Sequence, residues 1–433
     1  MESIWQQGIV LPRFPKLSGD MHTDVLVIGG GMAGLLTAYC LQQKGMDVLL
    51  VEKDCICGGT TVCTTAKITA QHGLIYHKIA NAYSDTHAKM YYAANAEAVE
   101  NLKKLCQEAS CRLEHKDNFV YSLAGDTLDA ELSALQRIGV SAKYEQELPI
   151  PVAAAGAVGF ADQGQFHPLQ LAEFLSKNLT VYENTKVTQL VGTTAVTEQG
   201  SIRAEKIVVA THFPFLNKHG SYFLKLYQHR SYLLALENAP QLAAMYVDDN
   251  KRGMSFSSFD NYLLLGGGGH RTGKQGGSYP ELRAFQKQQY PHAHERFHWA
   301  AQDTVSLDGI PYIGNYSKNT PNLYVAAGFN KWGMTGSMVS AQILSAMIAG
   351  ENKEYASVFS PSRNILKPQL LVNGLEATKN LLTPTPRRCP HLGCALKYNR
   401  EEHSWDCACH GSRFSESGKV LNNPANDDLR KAP

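Results

Sequence analysis

The chain has no excess of charge of either sign: 41 Lys and Arg stand against 39 Asp and Glu, a formal net charge of +2 over 433 residues. That balance excludes the basic footprint of a nucleic-acid binder or of a protein held on an anionic membrane. No apolar run approaches the ~20 residues a helix needs to cross a bilayer, so no membrane span is expected. The opening residues, Met1-Glu-Ser-Ile-Trp5, show neither a basic stretch nor a long apolar segment. No secretory signal peptide is expected there, and the cytoplasm is the expected compartment. Internal repeats and low-complexity tracts are also missing. At 44% hydrophobic and 18% charged, the chain is long and apolar enough for two or three packed domains.

Cysteine is not scarce: there are 10. In the cytoplasm that number argues for metal or redox use over a disulfide framework. Four fall near the end, in Cys389-Pro-His391-Leu-Gly-Cys394 and Cys407-Ala-Cys409-His410-Gly-Ser412. Each loop offers one cysteine, one histidine and one spare cysteine. Zinc is one reading, but a zinc ribbon has two C-x-x-C-like knuckles, and zinc leaves the surplus cysteines unexplained. The pattern C-x-H…C-x-x-H resembles a Rieske [2Fe–2S] centre, which moves one electron at a time. The resemblance implies Cys389 and Cys407 on one iron and His391 and His410 on the other. It further implies a Cys394–Cys409 disulfide clamping the loops, as in the respiratory-complex type. In that type a serine and a tyrosine donate hydrogen bonds to cluster sulfurs. Ser412 holds the serine position here and Phe414 the tyrosine position, which implies a lower potential. An ordinary Rieske domain has several strands before its first loop, and they are missing. Only about fifty residues follow Pro384, too few for an independent core. The cluster segment is therefore expected to lean on the rest of the chain or on a partner chain.

At the other end, Asp24-Val-Leu-Val-Ile28 suits a buried parallel strand. It leads into Gly29-Gly-Gly31-Met-Ala-Gly34, a helix from Leu35 to Lys44 stopped by Gly45, and a second strand, Asp47-Val-Leu-Leu-Val-Glu52. This is the βαβ dinucleotide fingerprint in its proper setting: Gly29 for the turn, Gly31 for pyrophosphate approach, Gly34 for helix–strand packing, Glu52 for the ribose. The pyrophosphate belongs at the helix N-terminus. The chain continues as Lys53-Asp-Cys-Ile-Cys-Gly58-Gly59-Thr60-Thr61 and Thr64-Thr65-Ala66-Lys67. Later segments are Ala204-Glu-Lys-Ile-Val-Val-Ala210-Thr211, Asp308-Gly-Ile-Pro-Tyr-Ile-Gly314, and Leu323-Tyr-Val-Ala-Ala-Gly328-Phe-Asn-Lys331-Trp332-Gly333-Met334-Thr335, opening an apolar helix. Over residues 22 to 350 the chain resembles the D-amino-acid-oxidase and glycine-oxidase-like flavoproteins. The resemblance implies FAD, with that last helix aimed at the flavin pyrimidine ring, where its dipole stabilises the negative charge of the reduced form. The implied FAD contacts are Gly29, Gly31, Met32, Ala33, Gly34, Glu52, Lys53, Gly59, Thr60, Thr61, Thr65, Ala66, Lys67, Val187, Ala210, Thr211, Gly328, Lys331, Gly333, Met334 and Thr335. A second fingerprint is absent. Gly266-Gly-Gly-Gly269-His270-Arg271 does not continue as a helix, so no pyridine-nucleotide domain is expected.

The expected fold is α/β: a Rossmann-like FAD-binding domain with an inserted α+β substrate sheet, plus a small all-β Rieske subdomain. Residues 1–21 read as a lead-in and 22–350 as the oxidoreductase. Its FAD-binding segments are about 22–73, 151–211 and 301–350, and its substrate and helical segments about 74–150 and 212–300. A connector, 351–386, precedes the Rieske segment, 387–433. Periodicity predicts a long helical excursion over 74–110, a helix from His167, a strand over 185–191, strands at Tyr232-Leu-Leu-Ala-Leu and Asn261-Tyr-Leu-Leu-Leu, and an amphipathic helix near 368–381. The spacer Thr383-Pro-Thr-Pro386 is stiff and extended.

No general base is assigned. His72 and Tyr76, which precede the excursion, and Lys331 and Trp332 are substrate-contact candidates, each with a structural alternative. Arg230 and Arg271 are candidates to hold a substrate carboxylate in a bidentate fork, or else solvated surface groups. Cys55, Cys57 and Cys63 read as small packed thiols in preference to a dithiol relay, and Cys40, Cys106 and Cys111 as core. His292-Ala-His-Glu-Arg-Phe-His298 reads as a solvated helix face in preference to a metal site. The expected function is an FAD-dependent dehydrogenase. It passes electrons from a small-molecule donor, an amine or amino acid, through FAD to the Rieske cluster, with an electron-carrier protein as acceptor. The alternatives are an electron-transfer hub between carrier proteins and a non-catalytic redox sensor. A Rieske oxygenase is disfavoured, because no 2-His-1-carboxylate iron site is visible.

Overall fold

The strand Met21–Ile28 is the centre of the molecule because both its faces are apolar. Val25 and Val27 pack with the helix residues Leu35, Leu36 and Leu41 on one side. Leu26 and Ile28 pack with Ile207, Val209 and Tyr312 on the other. Strand alternation over two buried faces produces a near-continuous apolar run and a parallel sheet. The computed structural model describes residues 2–216, 219–250 and 253–430. Its first sheet runs Tyr312–Asn315, Leu323–Ala327, Ser201–Val209, Met21–Ile28, Val48–Val51, Thr180–Tyr182, all parallel except the first, and the hairpin 189–196 extends it. Helix Met32–Gln43 joins the first two strands in sequence and packs against the closing helix Gly333–Ile348.

A second sheet of nine strands lies beside the first. Its longest pairing joins Leu226–Glu237 to His294–Ser306, antiparallel. Residues 292–298 are therefore not a helix face. From His294 onward they belong to a strand, because Leu226–Glu237 offers them a full ladder of partners. Two further strands of this sheet, Lys67–Ile68 and Gly156–Gln165, fall inside segments read as flavin-binding. The 74–110 excursion is two helices, Tyr76–Ala82 and Asp85–Glu108; the second starts at Ser84, whose side chain accepts from the His87 N–H. The strand expected over 185–191 is shorter, Gln189–Val191, which leaves Val187 in a buried loop position.

The C-terminal lobe is a four-stranded antiparallel meander over 396–422, preceded by helix Pro368–Leu382. Its own apolar cluster is small, built on Leu396, Phe414, Ala425 and the four lobe cysteines. The lobe leans on the body of the same chain. Arg271 Nε and Nη2 donate to the carbonyls of Ala408 and Cys409, both at 2.9 Å. Asn423 Nδ2 donates to the carbonyls of Thr211 and Phe213, both at 2.7 Å. A Cβ at Gly273 would stand 2.4 Å from the Ala408 nitrogen, so this approach requires glycine.

Candidate functional site: a flavin cavity walled by the cluster lobe

A cavity of about 1160 Å³ opens where the strands of the first sheet end, the usual binding position in an open α/β sheet. Gly29 turns the chain there at φ +113°, and a Cβ on it would stand 2.6 Å from the Ala210 carbonyl oxygen. A Cβ on Gly34 would stand 1.9 Å from the Gly29 oxygen, so the helix sits against the strand only because this residue is glycine. Glu52 Oε2 accepts from Gly30 N at 2.7 Å and Oε1 from Asp54 N at 3.0 Å. Thr61 Oγ1 accepts from Met32 N, the first helical residue, at 3.1 Å. The closing helix begins at the same cavity, with Gly333, Met334 and Ser337 in the wall. Two helix N-termini, a buried acid and a glycine-lined turn converge, and His212 adds a buried Nε2 without a hydrogen-bond partner. This donor set fits a dinucleotide such as FAD.

Most residues expected at the flavin line this cavity, including Lys53, Gly59, Thr60, Thr65, Lys67, Val187, Thr211 and Lys331. Gly34, Ala66, Gly328 and Thr335 do not. They stand behind the wall as packing and turn residues; Thr335, for one, exchanges hydrogen bonds with the backbone of Thr69 at 3.0–3.1 Å. His72 lines the cavity and stacks on Trp332 at 5.1 Å, its ring nitrogens held by Tyr91 Oη at 2.7 Å and Thr69 O at 2.9 Å. Burial pulls its pKa down to about 3, so it stays neutral. Tyr76 is not at the site: it is fully buried and donates to the Ala70 carbonyl.

The two arginines carry a different role from the one expected. Arg271 holds the backbone of the cluster loop, and its Nη1 donates to Asn373 Oδ1 at 2.9 Å. Arg230 reaches the cavity, but both sides of its fork are on Glu402, Nε to Oε1 at 3.0 Å and Nη2 to Oε2. Glu402 also accepts from Arg413 Nη2 at 2.9 Å and Tyr232 Oη at 3.0 Å. Burial alone would raise its carboxyl, but Arg230 and Arg413 outweigh that and hold it below its ordinary value.

Glu402, Arg413, Asn422, Asn423 and Ala425 belong to the lobe, and they line the flavin cavity. The connection runs deeper through glutamines. Gln228 Nε2 donates to the His410 carbonyl at 3.1 Å, and Gln302 Nε2 donates to the Gly411 carbonyl at 2.8 Å and to Gln228. Thr60 of the glycine-rich loop donates to the Gln302 carbonyl at 3.2 Å. Next to Gln302 sits Asp303, a cavity-lining carboxyl that burial pushes up to about 6, against the pull of Lys331 and Arg230. Burial brings Lys67 down to about 7, with Lys116 adding to it. Asp303, His212, Gln228 and Gln302 were not legible as site residues, because no local motif surrounds them.

In the lobe, the thiols of Cys389 and Cys407 are buried. The neighbouring Cys407, with Ser412 and the backbone N–H groups of His391 and Leu392, favours the thiolate of Cys389 and brings it down, while the same pairing and burial push Cys407 up. The imidazoles of His391 and His410 lie 5.0 Å apart, edge to face, and burial depresses them to about 4 and about 3. Neutral imidazoles and a readily ionised thiol suit metal ligation. Cys394 and Cys409 are joined by a disulfide with a Cα–Cα distance of 6.6 Å. The sulfurs of Cys394, Cys407 and Cys409 lie within 4.8 Å of one another, so the clamp packs directly on the Cys407 sulfur. Phe414 is fully buried in the strand after Ser412.

Residues 24–347 match the family model of FAD dependent oxidoreductases, and residues 367–433 match the Rieske [2Fe-2S] domain model. The second match takes in the helix Pro368–Leu382, which the sequence reading placed in a connector. YhfW of Bacillus subtilis (strain 168), a protein named for a Rieske 2Fe-2S iron-sulfur centre, is 32% identical, over 99% of this chain and 97% of its own. Among solved structures, glycine oxidase from Geobacillus kaustophilus superposes with a TM-score of 0.67 at 19% identity, covering 80% of this chain and 100% of its own. L-proline dehydrogenase from P. horikoshii also gives 0.67, at 17% identity, covering 81% and 98%. At these identities the structural likeness establishes the fold.

Proposed function

The chain belongs to the family of FAD-dependent oxidoreductases and joins to it a Rieske [2Fe–2S] domain; from that premise we propose that it is a dehydrogenase which oxidises an amine or amino acid at a C–N bond and delivers the electrons to its own cluster. When bound, FAD takes up two electrons as a hydride and the cluster releases them singly, which is the chemistry the cofactors supply. One observation carries the reading: the lobe that holds the cluster ligands is also a wall of the flavin cavity. The His410 carbonyl and the Thr60 hydroxyl are linked through only Gln228 and Gln302.

In this reading the chain divides the work as follows. Gly29, Gly31 and the N–H groups opening the helix Met32–Gln43 hold the pyrophosphate, and Glu52 holds the ribose. Cys389 and Cys407 take one iron, and His391 and His410 the other. Asp303 receives, at a carboxylate oxygen, the proton that a donor ammonium must lose before its C–N bond is oxidised. A donor carboxylate meets Lys331, a cation of the cavity wall. The glycine oxidase and L-proline dehydrogenase folds make amines and amino acids the first donors to try.

The test is anaerobic mixing of the purified protein with a panel of amines and amino acids. Flavin absorbance and the electron paramagnetic signal of the reduced cluster are followed together. At least one donor should bleach the flavin, and the cluster signal should grow afterwards. Bleaching only by reduced carrier proteins, or a flavin that reduces while the cluster stays oxidised, refutes the proposal.

A further inference from the structure

The helix Pro368–Leu382 is turned inside out. A surface helix ordinarily faces its apolar stripe inward. Here Asn373, Glu376 and Asn380 are the buried positions. Asn373 receives Arg271, Glu376 pairs with Lys274, and the Asn380 carbonyl accepts from Ala395 N. Leu371, Leu375 and Leu382 point outward, 73%, 74% and 76% exposed. Leu366, Val372, Leu381 and Leu392 extend the same apolar surface. Of the 14 exposed large hydrophobic residues among the described residues, these seven fall between 366 and 392. An apolar concentration of this kind marks an interaction surface.

The face is contiguous with the cluster site. Arg388 Nη1 donates to the carbonyls of both Leu381 and Gly393, and a Cβ on Gly393 would touch Leu381. Leu392 follows His391 directly. Over the same span, 366 to 392, the chain carries Lys367, Lys379, Arg387 and Arg388 against a single acid, Glu376, which is buried and already paired. We propose that this face docks an acidic electron-carrier protein: leucines for contact, a basic surround for steering, and the cluster loop at its edge. The inference rests on the reading of the lobe as the exit for electrons. A second copy of this chain is a poor occupant, because it would set the same cations against each other. A membrane surface is also disfavoured, because interfacial segments anchor with aromatic rings, and none of Phe, Trp or Tyr lies between 366 and 392.

The experiment is calorimetric titration of the FAD- and cluster-loaded protein with two acidic probes, an oxidised plant-type [2Fe–2S] ferredoxin and a flavodoxin, at low and high salt. At least one should bind, and binding should weaken as salt rises. Leu371→Ser/Leu375→Ser should lose roughly tenfold or more in affinity, and Lys379→Glu should lose the salt dependence in part. The flavin and cluster spectra of both variants should match the parent. Four outcomes overturn the proposal: no salt-dependent binding to either probe; full affinity in the leucine variant; a parent dimer that the leucine variant dissolves; or flotation with phosphatidylglycerol vesicles that the leucine variant abolishes. If probe binding follows the prediction while no donor reduces the cluster, the electron-exit reading fails and the docking face stands.

Discussion

Glu402→Ala should loosen the cluster lobe from the flavin body without disturbing either cofactor loop. Glu402 and Arg230 side chains are each 4% exposed, and Glu402 is the acceptor for both sides of the Arg230 fork. Removing one member of a buried pair costs ~3–5 kcal/mol, because the other charge is left unpaired out of water. Arg413 would keep Asp406 Oδ1 at 3.0 Å and Ser404 Oγ at 2.8 Å, so the loss falls mainly on Arg230. The lower figure, ~3 kcal/mol, then applies, and the undocked population rises roughly a hundredfold. Urea unfolding followed separately by cluster and flavin absorbance reads this directly: the cluster transition should move to lower urea and separate from the flavin transition. Limited proteolysis near Thr383-Pro-Thr-Pro386 should accelerate. Arg230→Met/Glu402→Met, which removes both charges, should recover much of the loss. The pH dependence has a fixed sign. Arg230 and Arg413 hold the Glu402 carboxyl below its ordinary value, so its contribution is complete above the unfolded value of ~4.3 and is lost as pH falls through the depressed one. A single variant within ~1 kcal/mol of the parent, or a double variant no more stable than the single, refutes the reasoning.

Three further outcomes are expected. Cys394→Ser should leave a Rieske spectrum but make the cluster labile, because it cuts the clamp and no iron bond, whereas Cys389→Ser should abolish the spectrum; equal loss in both, by iron and sulfide analysis, would void the ligand assignment. Phe414→Tyr should raise the cluster potential by roughly 60–130 mV, the worth of one hydrogen bond to a charged acceptor of ~1.5–3 kcal/mol converted for one electron; a redox titration showing no rise would contradict it. Flavin reduction by an amine donor should quicken as pH rises through about 6, where Asp303 loses its proton, and Asp303→Asn should remove that limb of the pH profile with little change in FAD content.

How much of this was legible in the sequence follows from how far apart the interacting residues are. The βαβ unit between Asp24 and Glu52 was readable because strand, turn, helix and acid succeed one another within thirty or so residues, and each has a local physical signature. The Rieske pattern was readable for the same reason: two short loops carry all six of its Cys and His residues. Even the need of the short lobe for outside support was visible, since fifty residues cannot bury a core. The partners that supply that support were not. Arg230 looked like a substrate anchor because nothing near it in sequence hints at Glu402, 172 residues away. Residues 294–306 looked helical in part because the ladder that makes them a strand lies on Leu226–Glu237. Asp303 joins the cavity wall only when folding brings its strand there, and no local pattern announces that. The helix Pro368–Leu382 was identified almost to the residue, but its orientation was not. Periodicity fixes which side chains share a face; only the tertiary contacts of Arg271 and Lys274 decide that the polar face turns inward and the leucines face out.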